Sequence, residues 1–249
     1  MTARCDIQSR KGIRAWALAL TAIAAAPGLA AAGSRGEVMF IDDFIRDPAL
    51  RATDWAANGP AATAMLTSLP PGARAAMVTP TMHFDAQRGL SLTAPGAPGQ
   101  QSGIQTQFGY TPPFRIVATG TAASVGPGAL EIGIATADAG SGVAIVGGSA
   151  PAGFAVASAA GAGKPWAWAP DPLSRDAPAA GKPYEFTIDV DSGGVAHLYG
   201  RSSGQVLGAS QVTVGTGPFY VVVGQASGSD AAGQPSVSRW RGVTISRSP

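Results

Sequence analysis

Carboxylates are the side chains through which this sequence could do the most chemistry, and glutamate is used sparingly: it occurs three times, at Glu37, Glu131 and Glu185. Glu131 lies within Ala129-Leu-Glu-Ile-Gly-Ile134. There Leu130, Ile132 and Ile134 alternate with it, so a strand would turn Glu131 away from the core they form. In a curved sandwich, the face opposite the core can floor a cleft. A glycosidase needs two carboxyl groups in such a cleft, about 5 to 5.5 Å apart for retention and wider for inversion. Gly133 and Ala135 offer no second acid on this strand, so a partner would come from another strand. Glu131 is thus the candidate catalytic residue if the protein is an enzyme.

Aromatic side chains point to a different activity, the stacking of sugar rings on indole or phenol. Trp166 and Trp168 stand two apart in the turn-rich Lys164-Pro-Trp-Ala-Trp-Ala-Pro-Asp171. Strand-like geometry would put both on one side. Exposed, they would form a glycan platform; folded inward, they would cover a sheet edge as an apolar lid. Tyr110, at a strand end, is a third candidate contact. Trp55 and Trp240 read as core residues.

Metal chemistry has little to build on. The histidines, His83 and His197, lack a partner histidine at ligand spacing. Asp42 and Asp43 are hard oxygen ligands suited to a structural calcium, although no EF-hand loop is present. No other cofactor is expected. Cys5 is the single cysteine, and it precedes the apolar run of the leader, so the rest of the chain can form neither a disulfide nor a thiolate site. No GxxxxGK[ST] run cradles a phosphate, and no G-x-S-x-G elbow presents a serine nucleophile.

The leader supplies the compartment. Arg4, Arg10, Lys11 and Arg14 precede an apolar, alanine-rich run from Ala15 to Ala32, and Ala30 and Ala32 suit a signal peptidase. The pattern predicts a signal peptide over residues 1–32, cleavage before Gly33, and export to the periplasm or the medium without a stable membrane span. Residues 33–249 then form one domain. The chain carries 17 basic and 15 acidic residues; without Arg4, Arg10, Lys11, Arg14 and Asp6, 13 and 14 remain, a formal charge of −1. That leaves no basic excess for a nucleic-acid backbone.

The elements that must position these residues are strands. Gly89–Ala94, Gly103–Phe108, Phe114–Gly120 and Ala129–Ile134 show the period-two alternation of half-buried strands, and Val143–Val146 and Phe154–Ala157 extend the series. Tyr184–Asp191 and Val195–Gly200 read as a hairpin turning on Asp191-Ser-Gly-Gly. Gln205–Ala209 could add a third strand there. Phe219–Val223 is apolar throughout and so central, and Trp240–Ser246 closes the chain with a glycine-marked bulge. A first strand falls in Glu37–Phe44. Ala61–Leu69 reads as a short helix crossing one end of the fold, and 159–183 as a long surface loop. Eleven to thirteen strands with 34 glycines and 20 prolines and no alternation with long helices predict an all-β fold, a curved antiparallel β-sandwich or jelly roll of two packed sheets.

The hairpin Tyr184-Glu-Phe-Thr-Ile-Asp-Val-Asp-Ser-Gly-Gly-Val-Ala-His-Leu-Tyr-Gly200, with a closing Trp-Arg-Gly-Val-Thr-Ile beside the first strand, resembles the concanavalin A-like lectin and glucanase superfamily. Phe108-Gly-Tyr-Thr-Pro-Pro-Phe-Arg-Ile-Val117 followed by Gly128-Ala-Leu-Glu-Ile-Gly-Ile134 is similar, more distantly, to laminarinase-like β-glucanases. That resemblance implies a catalytic strand reading Glu-Ile-Asp with a second glutamate three residues beyond the aspartate. The nucleophile then falls on Glu131, but the aspartate position is Gly133 and the acid/base position is Thr136. Threonine cannot protonate a glycosidic oxygen. The expectation is therefore a secreted, non-catalytic β-sandwich that binds a polysaccharide or envelope polymer. The alternatives are a hydrolase or lyase using carboxylates around Glu131, or a structural or protein-interaction domain.

Overall fold

The computed structural model describes residues 37–44, 54–70, 76–85, 87–93, 100–123, 126, 128–149, 152–226 and 237–248. The expected signal peptide lies outside them.

The alternation in the sequence becomes two sheets facing each other. The first runs β14 (Gln205–Thr213), β13 (Val195–Ser202), β12 (Pro183–Val190), β7 (Phe114–Ala122), β16 (Val237–Arg247), β5 (Gly89–Thr93) and β4 (Thr81–Asp85), with β1 (Val38–Asp42) also paired to β16. The second runs β11 (Ala167–Trp168), β10 (Ala152–Ser158), β9 (Gly142–Ser149), β8 (Leu130–Ala135), β15 (Tyr220–Ala226), β6 (Gln100–Thr106) and β2 (Trp55–Ala57), with β3 (Ala76–Met77) parallel to β6. All other pairings are antiparallel. The fold is the expected two-sheet antiparallel sandwich.

Period two sets which residues meet inside. Phe114, Ile116 and Ala118 of β7 and Phe186, Ile188 and Val190 of β12 meet Leu130, Ile132 and Ile134 of β8 and Val221 and Val223 of β15 in one buried cluster. Trp240 joins them at 0 % exposure and Trp55 at 1 %. Asp42 accepts hydrogen bonds from the Trp55 indole N–H at 2.8 Å and the Phe44 amide at 2.9 Å. Between Trp240 and Gly242 the pairing of β16 with β7 shifts by a residue, the expected bulge. β1 returns beside β16, and β15 is central, flanked by β8 and β6.

The predicted hairpin forms. Asp191 accepts from the amides of Gly193 at 2.8 Å and Val195 at 2.9 Å, and Gly194 takes a φ of 76°. The Val195 amide, foremost, holds the Asp191 carboxyl below its ordinary 3.8. Turn amides act likewise on Asp85, chiefly from Gln87, and on Asp138, chiefly from Gly140. A carboxylate with a depressed folded value stabilises the fold fully above the unfolded value, and that stability is lost as pH falls through the folded value. Carbon-detected NMR titration should place the Asp191 midpoint below 3.8; a midpoint at or above it would refute the turn's grip on the carboxylate.

Two sequence expectations change. The helix α1 (Pro60–Ser68) exists, but it lies on the outer face of the second sheet, packed against β6, β15, β8 and β3, instead of crossing an end. Four strands were not anticipated from the sequence: β2, β3, β4 and β11. β2, β3 and β11 have two or three residues, too few for a periodic pattern, and pair with longer strands; β4 does alternate, with Met82 and Phe84 packed against the core, a short signal that the sequence reading missed.

Candidate functional site

Glu131 occupies the face the sequence assigned to it. Its register partners are Gly224 on β15 and Val146 on β9, so it points out of the sandwich, beside Gly133 and Ala135. That face is closed. Ala61, Ala62, Met65 and Leu66 of α1 form a second buried cluster there with Ala135, Ala144, Val146, Val222 and Trp166. Glu131 is 0 % exposed.

The closure is built into the sequence of the floor. A Cβ on Gly133 would stand 2.8 Å from the Met65 sulfur, one on Gly103 2.8 Å from a Leu66 methyl, and one on Gly224 3.0 Å from the same methyl. Three glycines on adjacent strands thus form the seat into which Met65 and Leu66 descend. Pro60 starts the helix with a fixed φ, and Ala61, Ala62 and Ala64 favour its continuation. Gly59 provides no capping side chain, and the Gln105 side chain from the floor accepts the Ala62 amide at 2.8 Å in its place. At the other end the Trp166 amide donates to the Ser68 carbonyl at 2.7 Å. Asn58 fixes the approach, donating to Val78 O and accepting from the Gly103 amide.

The candidate residues are corrected accordingly. Glu131 cannot touch a polysaccharide in this structure, because α1 stands over its face. Gly133, where the resemblance would place an aspartate, has no room for a side chain. Thr136, in the acid/base position, donates its hydroxyl to Asp138 at 2.7 Å in a surface turn. Trp166 is not a platform: it is 2 % exposed, and its indole donates to Ala139 O at 3.1 Å. It takes the lid role instead. Trp168 pairs with Ala157 at the sheet edge and remains 37 % exposed on the same outer face. Tyr110 is half-buried, with its ring against Phe114, and burial pushes its hydroxyl up to about 12. Asp42 accepts hydrogen bonds on both carboxylate oxygens, from the Phe44 amide and the Trp55 indole. Among the described residues no three His, Cys, Asp or Glu side chains gather to hold a metal.

The outer face of the first sheet is open, and sequence reading passed over it. In register, Gln211, His197, Asp189, Arg115 and Ser246 form one row, and Arg201, Glu185, Thr119 and Gly242 another. His197 Nε2 lies 3.7 Å from an Asp191 oxygen. Nearby, the Ser248 hydroxyl donates to Asp189, a carboxylate that also pairs with Arg115. The serine proton is thereby aimed at a carboxylate and not at the histidine, so the cluster is no activated nucleophile. A third row on this face holds Tyr199, Thr187, Val117 and Thr244. The one sequence signal for this face is the Arg239-Trp-Arg241 alternation, which buries Trp240 and turns both guanidinium groups outward.

No protein-family model matches the chain, and no curated protein does. Solved structures do. A β-glucanase from Bacillus licheniformis superposes with a TM-score of 0.54 at 12% identity, covering 85% of this chain and 99% of the other. A protein from work on endo-acting O-glycanases that human gut bacteria express to initiate mucin breakdown gives 0.55 at 12%, covering 86% and 100%. A glycoside hydrolase family protein from Mycobacterium thermorestibile gives 0.53 at 13%, covering 83% and 99%. At such identities the likeness is one of fold. The chain has the jelly-roll β-sandwich fold that these structures share.

Proposed function

We propose that the protein is an exported, non-catalytic β-sandwich that binds a glycan of the cell envelope or its surroundings. One observation carries this reading: the face bearing Glu131 is sealed by α1, with Glu131 fully buried and glycine standing in the family's aspartate position. A fold associated with carbohydrate is retained while the place for two opposed carboxylates is filled with helix. Hydrolysis through Glu131 would require α1, held at both ends, to leave. Trp168 is the contact residue this reading favours, since its indole is accessible at the sheet edge; Trp166 is reassigned to holding the helix.

Titration calorimetry against soluble β-glucans, galactans and uronic-acid polymers tests the reading. Saturable heat without new reducing ends is expected. Trp168→Ala should weaken it about fivefold or more, as loss of a central aromatic contact does. New chain ends that disappear in Glu131→Gln would replace binding with hydrolysis. Absence of heat with every polymer would overturn the glycan reading.

A further inference from the structure

We infer that the open outer face of the first sheet binds an acidic glycan, and that Arg88, Arg239 and Arg241 hold its carboxylate or other oxyanion group. The inference rests on the glycan-binding reading and adds a ligand class and a site on the face opposite Trp168.

The three arginines line one open pocket of about 320 Å³ together with Thr121, and no carboxylate is part of that lining. Arg239 comes from β16 in register with Thr121 and Ser91. Arg241, two residues on and unpaired at the β16 bulge, lines the same pocket. Arg88 comes from the turn between β4 and β5. The Arg241 guanidinium donates to Gln87 O at 3.4 Å, which ties it to the turn carrying Arg88. Asp85, at the start of that turn, points its carboxylate into it, accepting the Gln87 amide at 2.8 Å and the Arg88 amide at 2.9 Å. It offsets part of one positive charge and leaves the other two. Three guanidinium groups around one open pocket repel one another, and a bound oxyanion relieves that repulsion with charge-assisted hydrogen bonds.

The pocket is one end of a trough. Arg241 also lines a second hollow of about 290 Å³ with Thr119 and Thr244. Thr119 and Pro183 line a third, of about 310 Å³, with Glu185 and Arg201. Crossing from β13 to β5 spans four strand separations, about 19 Å at the usual spacing. Along it the chemistry changes from strongly positive, through threonine hydroxyls, to Glu185 facing Arg201 across the β12–β13 pair. This sequence fits a polymer with many hydroxyls and a local negative charge. Glu185 and the threonines pair with sugar hydroxyls, which a DNA backbone lacks, so the glycan is favoured.

The purified protein is titrated with polygalacturonate, dextran sulfate, a neutral β-glucan and duplex DNA at low and high salt, for the wild type and for Arg88→Gln, Arg239→Gln and Arg241→Gln. The changes are to surface side chains, and thermal melting verifies that the fold persists. Binding to an acidic glycan that weakens about tenfold per arginine removed, and weakens with salt, is the expected result. The carboxylated and sulfated polymers distinguish the two sources of the oxyanion. Neutral glucan bound with equal affinity by the wild type and all three variants would overturn this inference and leave the glycan reading standing. Acidic glycan bound equally by the wild type and the variants would also overturn it, as would DNA bound as tightly as either glycan. Failure of every polymer would overturn both.

Discussion

Gly133→Asp should destabilise the protein by about 3 kcal/mol or more, while introducing a carboxylate where the resemblance to β-glucanases would place one. The new Cβ would stand 2.6 Å from Val143 O and 2.8 Å from the Met65 sulfur. Overpacking a core in this way costs about 1–3 kcal/mol. A buried carboxylate without designed partners adds a penalty of the same order or larger, since burial disfavours its charged form. Urea denaturation measures the sum. Gly133→Ala separates the parts: it should lose only the overpacking share, because it adds volume and no charge. Neither variant should release reducing ends from a polysaccharide. Wild-type stability in the Gly133→Asp variant would mean that α1 yields readily from the sheet, and it would return the outer face of the second sheet to consideration as a cleft.

The paired tryptophans should give opposite phenotypes. Trp166→Ala removes an indole that is 2 % exposed, packs in the helix cluster and donates to Ala139 O. Truncation of a buried aromatic of this size typically costs about 3–5 kcal/mol, a large part of a domain's total of about 5–15. Trp168→Ala removes a partly exposed ring on a two-residue edge strand, and its stability change should stay within about 0.5 kcal/mol, as surface substitutions do. Denaturant midpoints of the two variants test this directly. A glycan-binding defect in Trp168→Ala with unchanged stability, beside a stability defect in Trp166→Ala, would separate contact from scaffold. Equal stability losses would place both residues in the lid.

The two tryptophans also show how far a sequence carries a site. Their spacing put both indoles on one side of a strand, and they are on one side. Which of the two reaches solvent depends on Ser68 and Ala139, the groups that receive the Trp166 N–H donors. Both are remote from Trp166 in the chain, and no local pattern encodes the encounter. The Arg88, Arg239 and Arg241 cluster was hidden in the same way. The alternation around Trp240 gives two of the arginines, and only the pairing of β4, β5 and β16 brings the third.

By itself the sequence determined the two-sheet sandwich, the inward set of each long strand, the hairpin at Asp191, the bulge near Gly242, the existence of α1 and the outward direction of Glu131. All of these follow from local rules: side chains alternate along a strand, glycine and aspartate suit turns, and proline followed by alanines starts a helix. Tertiary structure alone decided where α1 lies, and therefore whether Glu131 meets solvent. The helix hides only a narrow apolar face, and its seat is made of Gly103, Gly133 and Gly224 on three strands. Glycine in a strand reads locally as a weak position. Only when β6, β15 and β8 stand side by side do three missing side chains become one groove of the right depth for Met65 and Leu66.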